Sequence, residues 1–135
     1  MKIAICSSMA FAKEMIKLKE DLEKLNHKVI IQEDVKEHAS GKISGEDKWR
    51  KLKIDPLKTY FKEIKNSDAI IVNNLDKNGI KNYIGGNSLI EMAFAYVLEK
   101  KIFLINPSPK EVGYYDEIES MKPIILNGNL SKINK

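Results

Sequence analysis

Hydrophobic and polar positions alternate along the chain in blocks of two kinds. Residues 2–6, KIAIC, form a short apolar run with β-branched side chains and end at a pair of serines, the pattern of a buried strand. Phe11, Met15, Leu18, Leu22 and Leu25 then recur at spacings of four and three among Lys and Glu, which predicts an amphipathic helix that Ser8 can cap. Residues 27–32, HKVIIQ, predict a second strand. Residues 33–54 are polar, carry two glycines and hold no sustained period, so they predict a long loop with room for a helical turn. Asp55-Pro56 opens a helix with Leu57, Tyr60, Phe61 and Ile64 on one face. AIIVNN (69–74), KIFLIN (101–106) and PIILN (123–127) predict three further strands. Between the first two lies NSLIEMAFAYVLEK (87–100), a nearly all-apolar helix whose pattern predicts burial on most sides. A turn and short helix fill 107–121, and the tail ends in a helical turn.

Strands that are continuous apolar runs and alternate with helices predict a parallel sheet covered on both faces. The expected fold is α/β, a flavodoxin-like three-layer sandwich with a five-stranded parallel sheet in the order 2-1-3-4-5. With 135 residues, no linker and no repeat, the chain reads as a single domain over 1–135. Ligands of such sheets bind beyond the carboxyl ends of the strands, where the order reverses. Here that crevice is formed by the loops after strands 1 and 3.

Composition narrows the partners. The chain is 43% hydrophobic and 31% charged, a globular balance, and no run approaches the roughly 20 apolar residues of a membrane span. The N-terminal segment lacks the pattern of a signal peptide, and Cys6 is the one cysteine, so the expected location is cytoplasmic. Net charge is +4, yet Arg50 is the single arginine among 23 basic residues, and the lysines interleave with Glu and Asp. That pattern is a solvated surface rather than a nucleic-acid face. No His or Cys pair has metal-ligand spacing, and GKISGEDK lacks the spacing of a phosphate-binding P-loop.

Candidate chemistry centres on Glu91, the one charged residue between Leu89 and Leu98. Ser88-Leu89-Ile90-Glu91 fits a capping box, in which Glu91 reaches back to the N–H of Ser88 and serves only the helix start. The competing reading is functional. Gly85 and Gly86 let backbone approach a ligand, free N–H groups at a helix start receive anions or hydroxyls, and a carboxylate beside them can attack an anomeric carbon. Asn73 and Asn74 end strand 3 as either ligand donors or turn formers. Tyr114 and Tyr115 read as base-stacking or half-buried packing, and His38 and Trp49 as loop residues. His27 is placed at the far end of the sheet with no assigned role.

The first strand–loop–helix, SDAIIVNN, the GGNSLIEMAFAYVLEKKIFLIN segment and the last short strand together resemble the nucleoside 2-deoxyribosyltransferase-like superfamily over most of the chain. The resemblance implies cleavage or transfer of an N-glycosidic bond of a nucleoside or nucleotide through a covalent glycosyl-Glu91 intermediate, with no metal and no cofactor. It implies that Ser7, Ser8 and Met9 after strand 1, with Gly85, Gly86, Asn87 and Ser88 before the nucleophile, hold the sugar or its 5′ group. It also implies a homo-oligomer, a dimer or larger. Gly85 stands where the family's transferases carry an acid, Tyr60 and Phe61 stand near a second acid of the family, and the usual tyrosine after strand 1 is absent. These departures favour the rival expectation, a non-catalytic nucleotide-ligand sensor of the same fold. A flavin binder is disfavoured because the SSMAF loop lacks a run of Ser, Thr and Gly donors.

Overall fold

β1 (Lys2–Cys6) lies inside a five-stranded sheet of order β2-β1-β3-β4-β5, in which every pairing is parallel. The other strands are β2 (Lys28–Ile30), β3 (Ala69–Val72), β4 (Lys101–Leu104) and β5 (Ile124–Ile125). The helices are α1 (Ala12–Lys24), α2 (Val35–Ala39), α3 (Pro56–Lys65), α4 (Gly86–Val97) and α5 (Tyr115–Ser120), with 3₁₀ turns at Met9–Phe11 and Leu130–Asn134. This computed structural model describes residues 1–33, 35–41 and 56–134. Most of the expected 33–54 loop, with Trp49 and Asp55, lies outside the described residues. The helical turn that the loop had room for is present near its start as α2, where His38 sits half-buried.

The fold class and strand order agree with the expectation, and the reason is visible in the alternation of the strands. Ile3, Ile5, Ala69, Ile71 and Phe103 face one layer, where Met15, Leu18 and Leu22 of α1 pack with Val35, Leu126 and Ile133. Ala4, Cys6, Ile70, Val72, Ile102 and Leu104 face the other, against Tyr60, Ile64, Met92, Ala95 and Ile118. Each fully buried Ile or Leu contributes about 1.5–3 kcal/mol. The tail is part of the first layer, since Ile133 is buried there.

α4 departs from expectation in two respects. It begins at Gly86, one residue before the expected 87–100, and its N-cap is Gly85 rather than the Ser88 of a capping box. The glycine pair lets the N-cap fall three residues before Ser88, and the Leu89 N–H already donates to the Gly85 carbonyl at 2.9 Å. Nor is the helix buried on most sides. Met92 and Ala95 are buried, whereas Ile90, Tyr96 and Val97 are 39%, 51% and 78% exposed. The sheet covers only one side of the helix and α3 a second, where Phe61 meets Phe94 edge-on with ring centroids 5.0 Å apart.

Candidate active site

The order 2-1-3 places the reversal between β1 and β3, whose last rung pairs Cys6 with Val72. The two loops that leave this rung are knitted together. The Asn73 N–H donates to the Cys6 carbonyl at 2.9 Å, and the Ser7 hydroxyl contacts the Asn73 carbonyl at 3.4 Å. Ser8 Oγ accepts from the Ala10 N–H at 3.2 Å, capping the 3₁₀ turn rather than α1 itself. The same oxygen accepts from the Lys77 ammonium at 2.8 Å.

Lys77 was not singled out by the sequence. It is placed by a tight turn, in which Asn78 and Gly79 both adopt positive φ and Lys77 and Ile80 exchange backbone hydrogen bonds at 2.9 and 3.0 Å. Asn-Gly is the signal for such a turn and was available in the sequence. The ammonium also lies 5.7 Å from the centroid of the Tyr83 ring. Among the described residues no carboxylate pairs with it.

Asn73 and Asn74 divide between the two readings given to them. Asn74 is structural: its side chain donates to the carbonyls of Asn106 and Pro107 and accepts from the Asn106 N–H, tying the end of β3 to that of β4. The Asn73 amide nitrogen is buried without a hydrogen-bond partner. An unsatisfied buried donor costs about 1–3 kcal/mol.

Glu91 does not close a capping box. Ser88 lies inside the first turn of α4, and Glu91 lies nearly a full turn further on, at 2% exposure. Its carboxylate faces the sheet. Oε2 accepts from Gln32 Nε2 at 3.3 Å, and the buried Cys6 thiol feels the charge of the same side chain. Burial, and then the charge of Glu91, push the Cys6 thiol well above its ordinary range. Tyr60 closes the cluster from α3. Its hydroxyl donates toward the carbonyls of Ile5 and Ile30, and burial, followed by the charges of Cys6, Glu91 and Glu63, holds the phenol well above its usual range.

The structure therefore brings Glu91 to Cys6, immediately before the Ser7–Ser8 loop, with Gly85–Ser88 one turn away on the same helix. Met9 behaves differently: it packs against the α1-side core. Gly85 offers no side-chain cap, and among the described residues no side chain accepts from the N–H groups of the first turn. Gly86 is exposed, and a Cβ there would meet nothing within 4 Å. A glycine that neither turn geometry nor packing requires fits a surface kept clear for a ligand. Tyr114 and Tyr115 are engaged internally, with the Ile84 carbonyl and Glu119 respectively. His27 stands at the opposite end of the sheet, against Met1. Among the described residues no group of three His, Cys, Asp or Glu could hold a metal, and no described helix is long and apolar enough to cross a membrane.

No family model matches the chain, no curated protein matches its sequence and no solved structure matches its fold.

Proposed function

We propose that the protein cleaves or transfers the N-glycosidic bond of a nucleoside or nucleotide, with Glu91 as the nucleophile. The observation that carries this reading is the placement of the Glu91 carboxylate. It is withdrawn from the helix start that it could have capped and held at the carboxyl end of β1, beside the switch point. In the first step a carboxylate oxygen bonds to the anomeric carbon. The C–N bond breaks, and its electron pair leaves with the base, which takes a proton from water. In the second step water, or a nitrogen of another base, attacks the same carbon. The ester C–O bond breaks and the carboxylate is regenerated.

The sugar end has support of its own. The Lys77 ammonium on Ser8, the uncapped first turn of α4 and the amide of Asn73 are donors with no acidic partner among the described residues. Together they suit an anionic or hydroxyl-rich 5′ group. We take the protein to be cytoplasmic, and to form a homodimer through the exposed Ile90–Val97 stripe of α4.

A second reading has its own observation. Tyr60 spends its hydroxyl on two backbone carbonyls, Phe61 packs on Phe94, and Gly85 has no acid, so no side chain at these positions protonates a leaving base. That favours a nucleotide sensor. Intact-mass measurement after rapid acid quench separates the two. The enzyme shows a sugar-sized adduct that maps to Glu91 and is lost in Glu91→Gln. The sensor shows ligand-induced stabilisation with no adduct.

A further inference from the structure

We propose that Asn78 is a site of spontaneous modification by water, deamidation to aspartate and isoaspartate, which releases Lys77 from Ser8. The inference stands on the turn itself and does not depend on the proposed function. Asn-Gly occurs at two places in the chain, 78–79 and 127–128. The backbones at the two places are alike. Asn78 and Gly79 have φ of 54° and 75°, and Asn127 and Gly128 have φ of 50° and 77°. All four residues are exposed. What separates the two places is the glycine nitrogen. The Gly128 N–H donates to the Ile105 carbonyl at 2.9 Å, which ties the chain after β5 to the end of β4. The Gly79 N–H has no acceptor among the described residues. Its turn is closed at the base by the Lys77–Ile80 pair, which is an isolated bridge rather than the end of a ladder.

The nitrogen held at Gly128 and open at Gly79 is the nucleophile of the reaction. The deprotonated Gly79 nitrogen attacks Cγ of Asn78. The Cγ–Nδ2 bond breaks, and ammonia leaves with protons taken up from water. The product is a five-membered succinimide. Water then adds to one of its two carbonyls and breaks that carbon's bond to nitrogen. Attack at the former side-chain carbonyl gives aspartate, and attack at the main-chain carbonyl gives isoaspartate. Water is the only co-reactant. Glycine at 79 has no Cβ to obstruct the attack, and no atom stands within 4 Å of where one would be. The attack requires rotation of the Asn78 main chain, so the turn opens first. A single bridge keeps that opening local, whereas at Asn127 the Gly128–Ile105 bond must break as well. Either product sets a carboxylate next in the chain to Lys77, whose ammonium has no acidic partner among the described residues. Isoaspartate also lengthens the main chain by one carbon, so the Lys77–Ile80 bonds no longer close. Lys77 then loses the turn that aims it at Ser8 Oγ, 2.8 Å away, and the charged bridge between the loops after β1 and β3 is lost.

The test is peptide mapping by mass spectrometry of the full chain, aged in warm, mildly alkaline buffer, folded in one arm and in urea in the other. In the folded protein Asn78 is expected to convert about tenfold faster than Asn127, the factor that one additional hydrogen bond to be broken supports, with isoaspartyl peptide in excess. In urea the two sites are expected to convert within about a factor of two of each other, because both are then the same dipeptide in an open chain. Equal rates in the folded protein, Asn127 as the faster site, or a folded chain that keeps Asn78 intact while urea converts it would overturn the assignment. The release of Lys77 has its own readout. Ser8 Oγ accepts from the Ala10 N–H at 3.2 Å as well as from Lys77, so the Ala10 amide resonance reports the contact. In aged protein that resonance is expected to move to its position in Lys77→Met. In Asn78→Gly, which tolerates the positive φ and has no side-chain amide, ageing is expected to leave it in place. An Ala10 resonance that ageing does not move, or that moves equally in Asn78→Gly, would overturn the release.

Discussion

A single carboxylate at 2% exposure carries most of the weight of the proposed function, and its surroundings set what it can do. Glu91 was legible in the sequence as the one interruption of an apolar run. Its partners were not, because Cys6, Gln32 and Tyr60 are 85, 59 and 31 residues away and meet it only through strand register and helix packing. Cys6 reads as packing from the sequence, and it does pack in the core, where burial and the charge of Glu91 raise its thiol. A buried thiol pushed well above its ordinary range has almost no thiolate to react. A chromogenic disulfide reagent at pH 8 is expected to label the native protein slowly, and to label it at full rate once denaturant exposes Cys6. Rapid labelling without denaturant would show that the thiol is accessible. Lys77 is the second residue-scale case. Replacing it with Met is expected to weaken binding of a 5′-monophosphate about tenfold by calorimetry while leaving the parent nucleoside unchanged, since a charge-assisted hydrogen bond contributes roughly 1.5–3 kcal/mol.

At the scale of elements, α4 decides whether the site is available. Its start was read one residue late and its cap placed at Ser88, because Ser-x-x-Glu is a strong capping signal and Gly-Gly reads as loop. What prevailed is a helix that begins on glycine and leaves its first turn open. Gly86→Ala fills open space at a residue with no positive φ. It is expected to stabilise the fold by about 0.4–1 kcal/mol, read as a higher denaturant midpoint, and to weaken nucleotide binding at the same time. Stabilisation with full ligand affinity would mean that the clear surface at Gly86 serves no ligand. The outer stripe of the same helix carries Ile90, Tyr96 and Val97. Val97→Glu is expected to shift sedimentation from dimer to monomer without altering the circular dichroism spectrum.

For the whole molecule, the strand order and both core layers were legible, because continuous apolar strands between amphipathic helices leave few alternatives. The strand ends were less so. β2 stops at Ile30 and β3 at Val72, where side chains take over the pairing: Tyr60 bridges the β1 and β2 carbonyls, and Asn74 clasps Asn106. Those side-chain bonds depend on the finished fold and leave no periodic trace. Two buried acids, Cys6 and Tyr60, also set the response of the fold to pH. Both are raised above their unfolded values of 9.0 and 10.0, so the folded state keeps protons that the unfolded chain has lost. Their contribution is fully present below pH 9. Above it, stability falls by up to about 1.4 kcal/mol per pH unit for each group. Urea titrations between pH 7 and 11 are expected to show this decline, with a shallower slope in Cys6→Ala.

The most direct measurement is base release or exchange from a panel of ribo- and deoxyribonucleosides and their 5′-monophosphates, with and without a free acceptor base. It is followed by chromatography for the wild type and for Glu91→Gln at matched fold stability. The expected result is turnover of at least one member, fastest with a 5′-phosphate, reduced to background in Glu91→Gln. Turnover that survives Glu91→Gln, or no turnover across the panel, would contradict Glu91 as a glycosyl nucleophile.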